Sequence, residues 1–282
     1  MKNLPHFAQV VSASLVLAVA GAGLTGCIVS TGCSGSWQPA NFKGPVNAAA
    51  TLTAPSAVDA KTENGAVTLI AGTGTELTVT GTARATSAER LALIKVVVEQ
   101  GADGVAMVSV VWPPDGRKGS EGCDLTITVP TVAKVAAKSS NGAITSTGLS
   151  GDLVLKTSNG AVTVNGHTGP LNVDTSNGAI KASDVNGPVM ADTSNGAISI
   201  SLTSAEAPVQ AKSSNGSITL VVPDAYSGAV SCSTSNGSVT NGTKGALAAG
   251  STKTKGTITL GAGAAASTLR TSNGSVTVKQ GQ

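Results

Sequence analysis

A recurring asparagine–glycine pair is the feature of this sequence that most constrains the fold. Serine precedes the pair in most copies, and successive copies are 18, 18, 18, 20, 21 and 37 residues apart. The asparagines are Asn141, Asn159, Asn177, Asn195, Asn215, Asn236 and Asn273. A step of this length is typical of one coil in a stacked repeat architecture. We interpret Thr254-Lys255-Gly256, near the middle of the longest step, as a degenerate copy that completes the series.

The copies also align at other positions. Six residues before the asparagine the side chain is aliphatic: Val135, Leu153, Leu171, Val189, Val209 and Val230. The third residue after it is also aliphatic: Ile144, Val162, Ile180, Ile198, Ile218, Val239, Ile258 and Val276. Three residues before it the side chain is mostly polar: Lys138, Lys156, Asp174, Asp192, Lys212, Ser233 and Arg270. Because successive residues of a strand face opposite sides, the aliphatic columns are predicted to face inward and the polar column to face water.

These columns predict an all-β parallel solenoid with about 18–21 residues per coil. Identical residues then become neighbours about 4.8 Å apart, where asparagine amides can form a hydrogen-bonded ladder. We expect the glycine to supply the positive φ of the turn. An antiparallel meander of Asn-Gly hairpins is the alternative geometry. It would place successive asparagines two strands apart, where identical side chains would gain no contact with one another.

The segment before the regular coils breaks the pattern. Residues 87–93 contain good helix formers behind a Thr86 or Ser87 cap and predict one short helix. Val96–Glu99 and Val105–Trp112 predict a β-hairpin, followed by an exposed and mobile loop up to Gly122. We therefore predict a helix and hairpin insertion at about 86–122, which caps one end, and regular coils at about 132–280, within a folded domain of residues 47–282.

The N-terminus resembles an export signal. It has one lysine, Lys2, and an apolar stretch from Val10 to Gly23 that is short for a membrane span. The stretch ends at Leu24-Thr25-Gly26-Cys27, which resembles the bacterial lipobox. We predict a lipoprotein signal peptide at residues 1–26, lipidation of Cys27, and a flexible tether at 27–46. An ordinary signal peptide is the alternative.

Composition limits the partners and the redox chemistry. Without residues 1–26 the chain has 17 basic and 15 acidic side chains, so no nucleic-acid partner is expected. Cys33, Cys123 and Cys232 allow at most one internal disulfide; Cys33 and Cys123 are the more plausible couple, and Cys232 lies at an inward position. Five aromatic residues in 282 argue against an aromatic-lined sugar platform.

Catalytic chemistry finds little support in the sequence. His167, at a predicted turn, is the one histidine after the signal segment, which argues against a catalytic triad or a multi-histidine metal site. Asp174 and Asp192 occupy one outward column and could act as stacked carboxylates of a polysaccharide-cleaving β-helix. The alternative is a solvated column in which Lys156 neutralises Asp174 and Lys212 neutralises Asp192. We expect no catalysis, no cofactor and no metal.

The stretch Gly-Pro-Leu-Asn-Val-Asp-Thr-Ser-Asn-Gly-Ala-Ile at 169–180, repeated with small changes, resembles the bacterial putative-adhesin family, a domain of unknown function. The resemblance covers roughly residues 48–280. It implies a single-stranded right-handed β-helix, often exported or lipid-anchored, and it brings no catalytic residues with it.

From this resemblance and the lipobox we expect a lipid-anchored scaffold of the cell envelope, periplasmic or on the cell surface. Its expected partners are the membrane, through the N-terminal lipid, and an envelope polysaccharide or another surface protein. The alternatives are the polysaccharide-cleaving enzyme and a self-associating structural protein.

Overall fold

The structure is a computed structural model that describes residues 38–52 and 57–281. The predicted signal peptide, the predicted lipidation site Cys27, Cys33 and the first part of the predicted tether lie outside the described residues. Within these ranges, no helix is both long and apolar enough to cross a membrane.

The described part of the chain is all-β apart from one helix. The strands of the N-terminal third are β1 (Phe42–Thr51), β2 (Ala57–Thr62), β3 (Val67–Ala71), β4 (Glu76–Ala85), β5 (Lys95–Gln100), β6 (Val105–Val111) and β7 (Gly122–Val129), and the helix is α1 (Ala88–Leu93). The middle strands are β8 (Lys134–Ser139), β9 (Ile144–Ser150), β10 (Asp152–Thr157), β11 (Val162–Thr168), β12 (Leu171–Thr175), β13 (Ile180–Asn186), β14 (Val189–Thr193), β15 (Ile198–Leu202), β16 (Val209–Asn215) and β17 (Ile218–Val222). The C-terminal strands are β18 (Gly228–Asn236), β19 (Val239–Gly242), β20 (Ala246–Leu247), β21 (Lys255–Leu260), β22 (Ala265–Asn273) and β23 (Val276–Gln280).

The strands form two large sheets, and each coil contributes one strand to each sheet. Sheet A has the order β1-β4-β7-β3-β9-β11-β13-β15-β17-β23-β19, and sheet B has the order β20-β21-β18-β22-β16-β14-β12-β10-β8-β2-β6-β5. The Asn-Gly turn leads from sheet B to sheet A, and a second turn, such as the one at Gly169-Pro170, leads back. The predicted β-solenoid is therefore confirmed, with two sides to each coil.

The core lies between the two sheets and consists of the predicted aliphatic columns. Leu153 pairs in parallel register with Val135 on one side and Leu171 on the other. All three are buried, as is Val162 on sheet A. Burial of each such side chain stabilises the fold by about 1.5–3 kcal/mol. Every regular coil buries several of them, so the contribution recurs along the stack. The alternation of buried and exposed residues confirms the parity inferred from the sequence.

The order of the C-terminal coils differs from the predicted sequential stack. Strand β22 lies between β16 and β18, and β23 lies between β17 and β19, so the last coil is intercalated between two earlier ones. The interpretation of Thr254-Lys255-Gly256 as a degenerate coil is wrong, because β21 runs antiparallel to β18 and β20 runs antiparallel to β21. This hairpin covers the outer edge of β18 in sheet B, on the side away from the intercalated β22.

The N-terminal end of the stack is closed by antiparallel strands. Strand β4 runs antiparallel to β7 and β1 runs antiparallel to β4, while β5 runs antiparallel to β6. The predicted hairpin and the predicted helix are confirmed; Ser87 caps α1 by accepting a hydrogen bond from the backbone N–H of Arg90. Strand β6 also pairs in parallel with β2, so the hairpin belongs to the stack itself. Strand β1 begins at Phe42, inside the range predicted as tether.

The loop between β6 and β7 is pinned to the solenoid, which contradicts the prediction of a mobile loop. Glu121 is fully buried, and its carboxylate accepts hydrogen bonds from the Arg90 guanidinium at 2.6 and 2.8 Å and from the backbone N–H groups of Thr86 and Lys118. The Arg90 guanidinium is the largest cause that lowers the pKa of Glu121, to about 2. Arg117 donates to the Glu63 carboxylate at 2.7 Å. The loop leads from β6 in sheet B to β7 in sheet A, which is the connection that an Asn-Gly turn makes in the regular coils.

Candidate binding surfaces of the solenoid

The seven predicted asparagines stand in one exposed file along the stack. Six of the seven amides donate from Nδ2 to Oδ1 of the asparagine on the neighbouring coil, at 2.7 to 2.9 Å, and Asn141, at the end of the file, only accepts within it. The file runs in the order Asn141, Asn159, Asn177, Asn195, Asn215, Asn273 and Asn236. The amides are committed to one another, so the file is a structural ladder along the turn.

A second ladder of hydroxyl groups lies just inside the same turn. The hydroxyl of Thr175, two residues before the asparagine, donates to the carbonyl oxygen of Gly160 on the preceding coil at 3.0 Å. The same bond is made by the equivalent residues Ser139, Thr157, Thr193, Ser213, Thr234 and Thr271. These hydroxyls are turned inward and engaged with backbone carbonyls, so this column holds neighbouring coils together.

The glycine of the turn is required by close contact and not by a positive φ, which corrects the sequence interpretation. Gly160 and Gly178 do not have a positive φ. A Cβ atom at Gly178 would lie 1.8 Å from the carbonyl oxygen of Gly160, and one at Gly160 would lie 2.0 Å from that of Gly142. A side chain at this position would therefore force neighbouring coils apart.

The polar column of sheet B holds the two candidate catalytic carboxylates. Asp174 and Asp192 are paired in register on β12 and β14, and both are exposed. Lys156 Nζ lies 3.9 Å from Asp174 Oδ2, as the neutralised-column alternative predicts. The predicted pair of Lys212 with Asp192 is not formed: the two are register partners, yet no ion pair joins them within 4.0 Å. The carboxylates stand on an open face.

An open trough of about 430 Å³ runs along the same face, over strands β10 to β16. Stacked prolines form one wall: Pro170, Pro188 and Pro208. Outward side chains of four successive strands form the other: Val154, Asn172, Met190 and Gln210. The sequence prediction missed this trough, although the recurrence of proline after the second turn, at steps of 18 and 20 residues, is a signal from which it could be found.

The outer face of sheet A carries files of neutral hydroxyl side chains. Thr126, Thr68, Thr145 and Thr163 are register partners on four neighbouring strands. This outward file of threonines was not predicted from the sequence. The file continues on β13 with the exposed Lys181, the register partner of Thr163, so the outer face of sheet A combines hydroxyl groups with charge, whereas that of sheet B combines a charged column with the trough.

His167 is a core residue on β11 and not a turn residue. Its side chain is buried, with Nδ1 2.9 Å from the Leu149 carbonyl oxygen and Nε2 3.2 Å from the Pro170 carbonyl oxygen. Both ring nitrogens thus face backbone acceptors. Among the described residues, no group of three or more His, Cys, Asp or Glu side chains is arranged to hold a metal ion.

The two described cysteines are free and buried. Burial is the main cause that raises the pKa of both thiols, to about 12, which keeps them protonated and unreactive. Cys232 lies in the core, as its inward column predicts. Cys123 is fully buried at the start of β7, and its predicted partner Cys33 lies outside the described residues.

Comparison with known proteins gives a family match. A family model described as Toastrack DUF4097 matches residues 117–279, which is 163 of the 282 residues. No curated protein matches the chain. A putative cell adhesion protein from Clostridium sporogenes is similar in structure at 12% identity and a TM-score of 0.35, covering 84% of this chain and 100% of that one. A putative adhesin from Bacteroides fragilis is similar at 15% identity and a TM-score of 0.37, covering 87% of this chain and 100% of that one.

Proposed function

Because the chain belongs to the Toastrack DUF4097 family, we propose that it is a non-catalytic scaffold of the cell envelope that holds another macromolecule along its outer faces. The proposal rests on one observation: polar or charged outward side chains of successive coils stand in register on both outer faces, as in the column of Lys156, Asp174, Asp192 and Lys212 on sheet B and the pair Thr145 and Thr163 on sheet A. Such files suit a polymer with repeating units, because many weak contacts at a regular spacing add up to a firm attachment.

The polar side chains at the Asn-Gly turn bond to one another or to backbone carbonyls, which supports a structural role for the turn. The outer faces of the two sheets are then the surfaces that remain for binding. The asparagine amides and inward hydroxyls are consumed within the fold, as in the bonds from Asn177 to Asn159 and from Thr175 to Gly160. The exposed positions of sheets A and B, by contrast, hold hydroxyl, amide and charged side chains that face water. The carboxylates Asp174 and Asp192 fit this role as members of a solvated column.

Anchoring through a lipid on Cys27 is the second part of the proposal. It is supported by the apolar segment that ends at Leu24-Thr25-Gly26-Cys27. Cells that produce the wild-type chain should incorporate a labelled fatty acid into it, and Cys27→Ala should abolish the labelling. Cys33→Ala, six residues along, is the matched control and should be labelled like the wild type. Labelling that survives Cys27→Ala would reject the anchor.

The scaffold role is tested by binding. The full chain, purified in nonionic detergent, is screened against envelope polysaccharides and envelope proteins, with product analysis to detect cleavage. Retention without turnover is the expected outcome. Turnover that Asp174→Ala or Asp192→Ala abolishes would establish the enzyme alternative instead, and concentration-dependent assembly without any polymer bound would establish the self-associating one.

A further inference from the structure

The charges of the protein are segregated along the solenoid. Residues 209–281 hold six basic side chains and one acidic one, Asp224, so this end carries a net charge of +5. The basic residues are Lys212, Lys244, Lys253, Lys255, Arg270 and Lys279. The described residues before 209 hold 11 basic and 14 acidic side chains, a net charge of −3. The near-neutral total therefore hides a basic C-terminal end.

Three of these cations form one file on the outer face of sheet B. Lys212 on β16 is the register partner of Arg270 on β22, and Ser233 on β18 separates Arg270 from Lys255 on β21. With a strand spacing of about 4.8 Å, the file spans three strand intervals. Lys212, Arg270 and Lys255 are all exposed. We call this set the basic file.

The intercalated coil is what assembles the basic file. In a sequential stack, the strand of Arg270 would lie beyond that of Ser233 and outside contact with Lys212. Insertion of β22 between β16 and β18 brings Arg270 next to Lys212, and the antiparallel return of β21 adds Lys255 beyond Ser233. The sequence alone therefore gives no sign of this cluster.

Among the described residues, no carboxylate forms an ion pair within 4.0 Å with the basic file, although Asp192 is the register partner of Lys212 and borders one end of it. In the described part of the chain, every ion pair within 4.0 Å joins residues between 59 and 174. Like charges at adjacent positions repel, and a bound anion removes this repulsion. The file thus has the charge and the open geometry to accept several anionic groups from one ligand.

We propose that the basic file binds an acidic polysaccharide or related envelope polymer that carries carboxylate or phosphate groups at regular intervals. This proposal rests on the scaffold function and names the ligand class of one face. A second copy of the chain is a poorer partner: much of the acidic charge is already in ion pairs, including Asp59, Glu63, Asp115, Glu121, Asp124 and Asp174. A nucleic acid is disfavoured by the export signal.

The test measures binding of the full chain in nonionic detergent to a polyuronate and to a glycerol-phosphate polymer, which separate carboxylate from phosphate recognition. The triple variant Lys212→Gln, Lys255→Gln, Arg270→Gln should weaken binding about tenfold or more. An increase from about 0.05 M to about 0.5 M salt should weaken wild-type binding similarly, because both remove the electrostatic attraction. Because all three side chains are exposed, the triple variant should unfold at the temperature of the wild type, and a thermal unfolding curve checks that it is folded.

The matched control neutralises three exposed lysines outside the basic end: Lys134→Gln, Lys138→Gln and Lys181→Gln. It changes the net charge equally and should bind like the wild type. Equal weakening by both triples would show a net-charge effect and overturn the proposal, as would failure to bind either anionic polymer. Tighter binding of duplex DNA would assign a nucleic acid instead. Binding of a neutral dextran that the first triple leaves unchanged would overturn this inference but keep the scaffold function.

Discussion

The side-chain amide of Asn273 donates a hydrogen bond of 2.8 Å to Oδ1 of Asn215, a residue 58 positions earlier in the chain. Asn273 in turn accepts from Asn236 at 2.8 Å, so the last motif lies between the two that precede it. The backbone repeats this arrangement, with β22 and β23 paired on both sides. The last coil is thus an interior coil of the stack.

Cysteine pairs should report the order of the coils. Ser217 and Ser275 are neighbours, with the Ser275 backbone N–H 3.2 Å from the Ser217 hydroxyl, and Ser275 is next to Ser238. Ser217→Cys with Ser275→Cys, and Ser275→Cys with Ser238→Cys, should crosslink on mild oxidation, because neighbouring strands place the Cα atoms within disulfide range. Ser217→Cys with Ser238→Cys should not. A crosslink only in this last pair, seen by gel shift and mass spectrometry, would restore the sequential stack.

Gly178→Ala should destabilise the protein strongly. The new methyl group would lie 1.8 Å from the carbonyl oxygen of Gly160, and backbone on both coils has to move to admit it. We expect a loss of about 3 kcal/mol in the free energy of unfolding, measured by chemical denaturation. Gly119→Ala is the control, since a Cβ there meets no atom within 4 Å. Equal stability of both variants would contradict the close-contact account of the turn.

Asn177→Ala should cost about 1–2 kcal/mol. It removes the bond to Asn159 at 2.8 Å and the bond from Asn195 at 2.9 Å, and each net hydrogen bond contributes about 0.5–1.5 kcal/mol. Asn165→Ala changes an exposed asparagine outside the ladder and serves as the control, with no measurable loss expected. A ladder that contributes nothing to stability would give the same denaturation midpoint for both.

Two buried serines should respond with opposite sign to the same substitution. Ser146 is buried in the core with no hydrogen-bond partner for its Oγ, whereas the buried Ser139 hydroxyl donates to the Gly65 carbonyl oxygen at 2.9 Å. Ser146→Ala should raise the free energy of unfolding by about 1 kcal/mol, because an unsatisfied polar group is removed. Ser139→Ala should lower it by a similar amount. Loss of stability in both would indicate that the Ser146 hydroxyl is satisfied.

Acid should weaken the N-terminal end through Glu121. The pKa of this carboxyl is lowered from an ordinary value of 4.5 to about 2, chiefly by the Arg90 guanidinium. A carboxyl with a lowered pKa stabilises the fold fully above about pH 4.5, and the contribution disappears as the pH falls towards 2. Glu121→Gln should be less stable at neutral pH and should flatten the loss of stability over that interval. Glu206→Gln, an exposed acid, should leave the profile unchanged.

Alternation and spacing were sufficient to predict which residues of a coil face inward. Leu153, Leu155 and Val162 follow from parity alone, because an 18-residue coil leaves each of them one orientation. The asparagine file follows in the same way from the identity of its members. What these patterns determine is the cross-section of the stack.

The order of coils at the two ends could not be predicted from the same patterns. Because the coils carry similar residues at equivalent positions, their strand edges are nearly interchangeable as pairing partners. The positions of Asn215, Asn236 and Asn273 along the chain therefore do not reveal which of them are neighbours in the stack. In the structure, β21 occupies one edge of β18 by antiparallel pairing, so the last coil pairs with the other edge. The basic file and the proline-walled trough depend on neighbours across coils, and each becomes visible only once the neighbours are known.

The intercalated coil has a consequence for how the protein is made. Residues 265–280 fill a slot between strands that leave the ribosome before them, so this end of the solenoid can close only after these residues have been made. Strands β18 and β19 therefore lack their neighbours β22 and β23 while they are being made, and the C-terminal coils close in a different order from their synthesis.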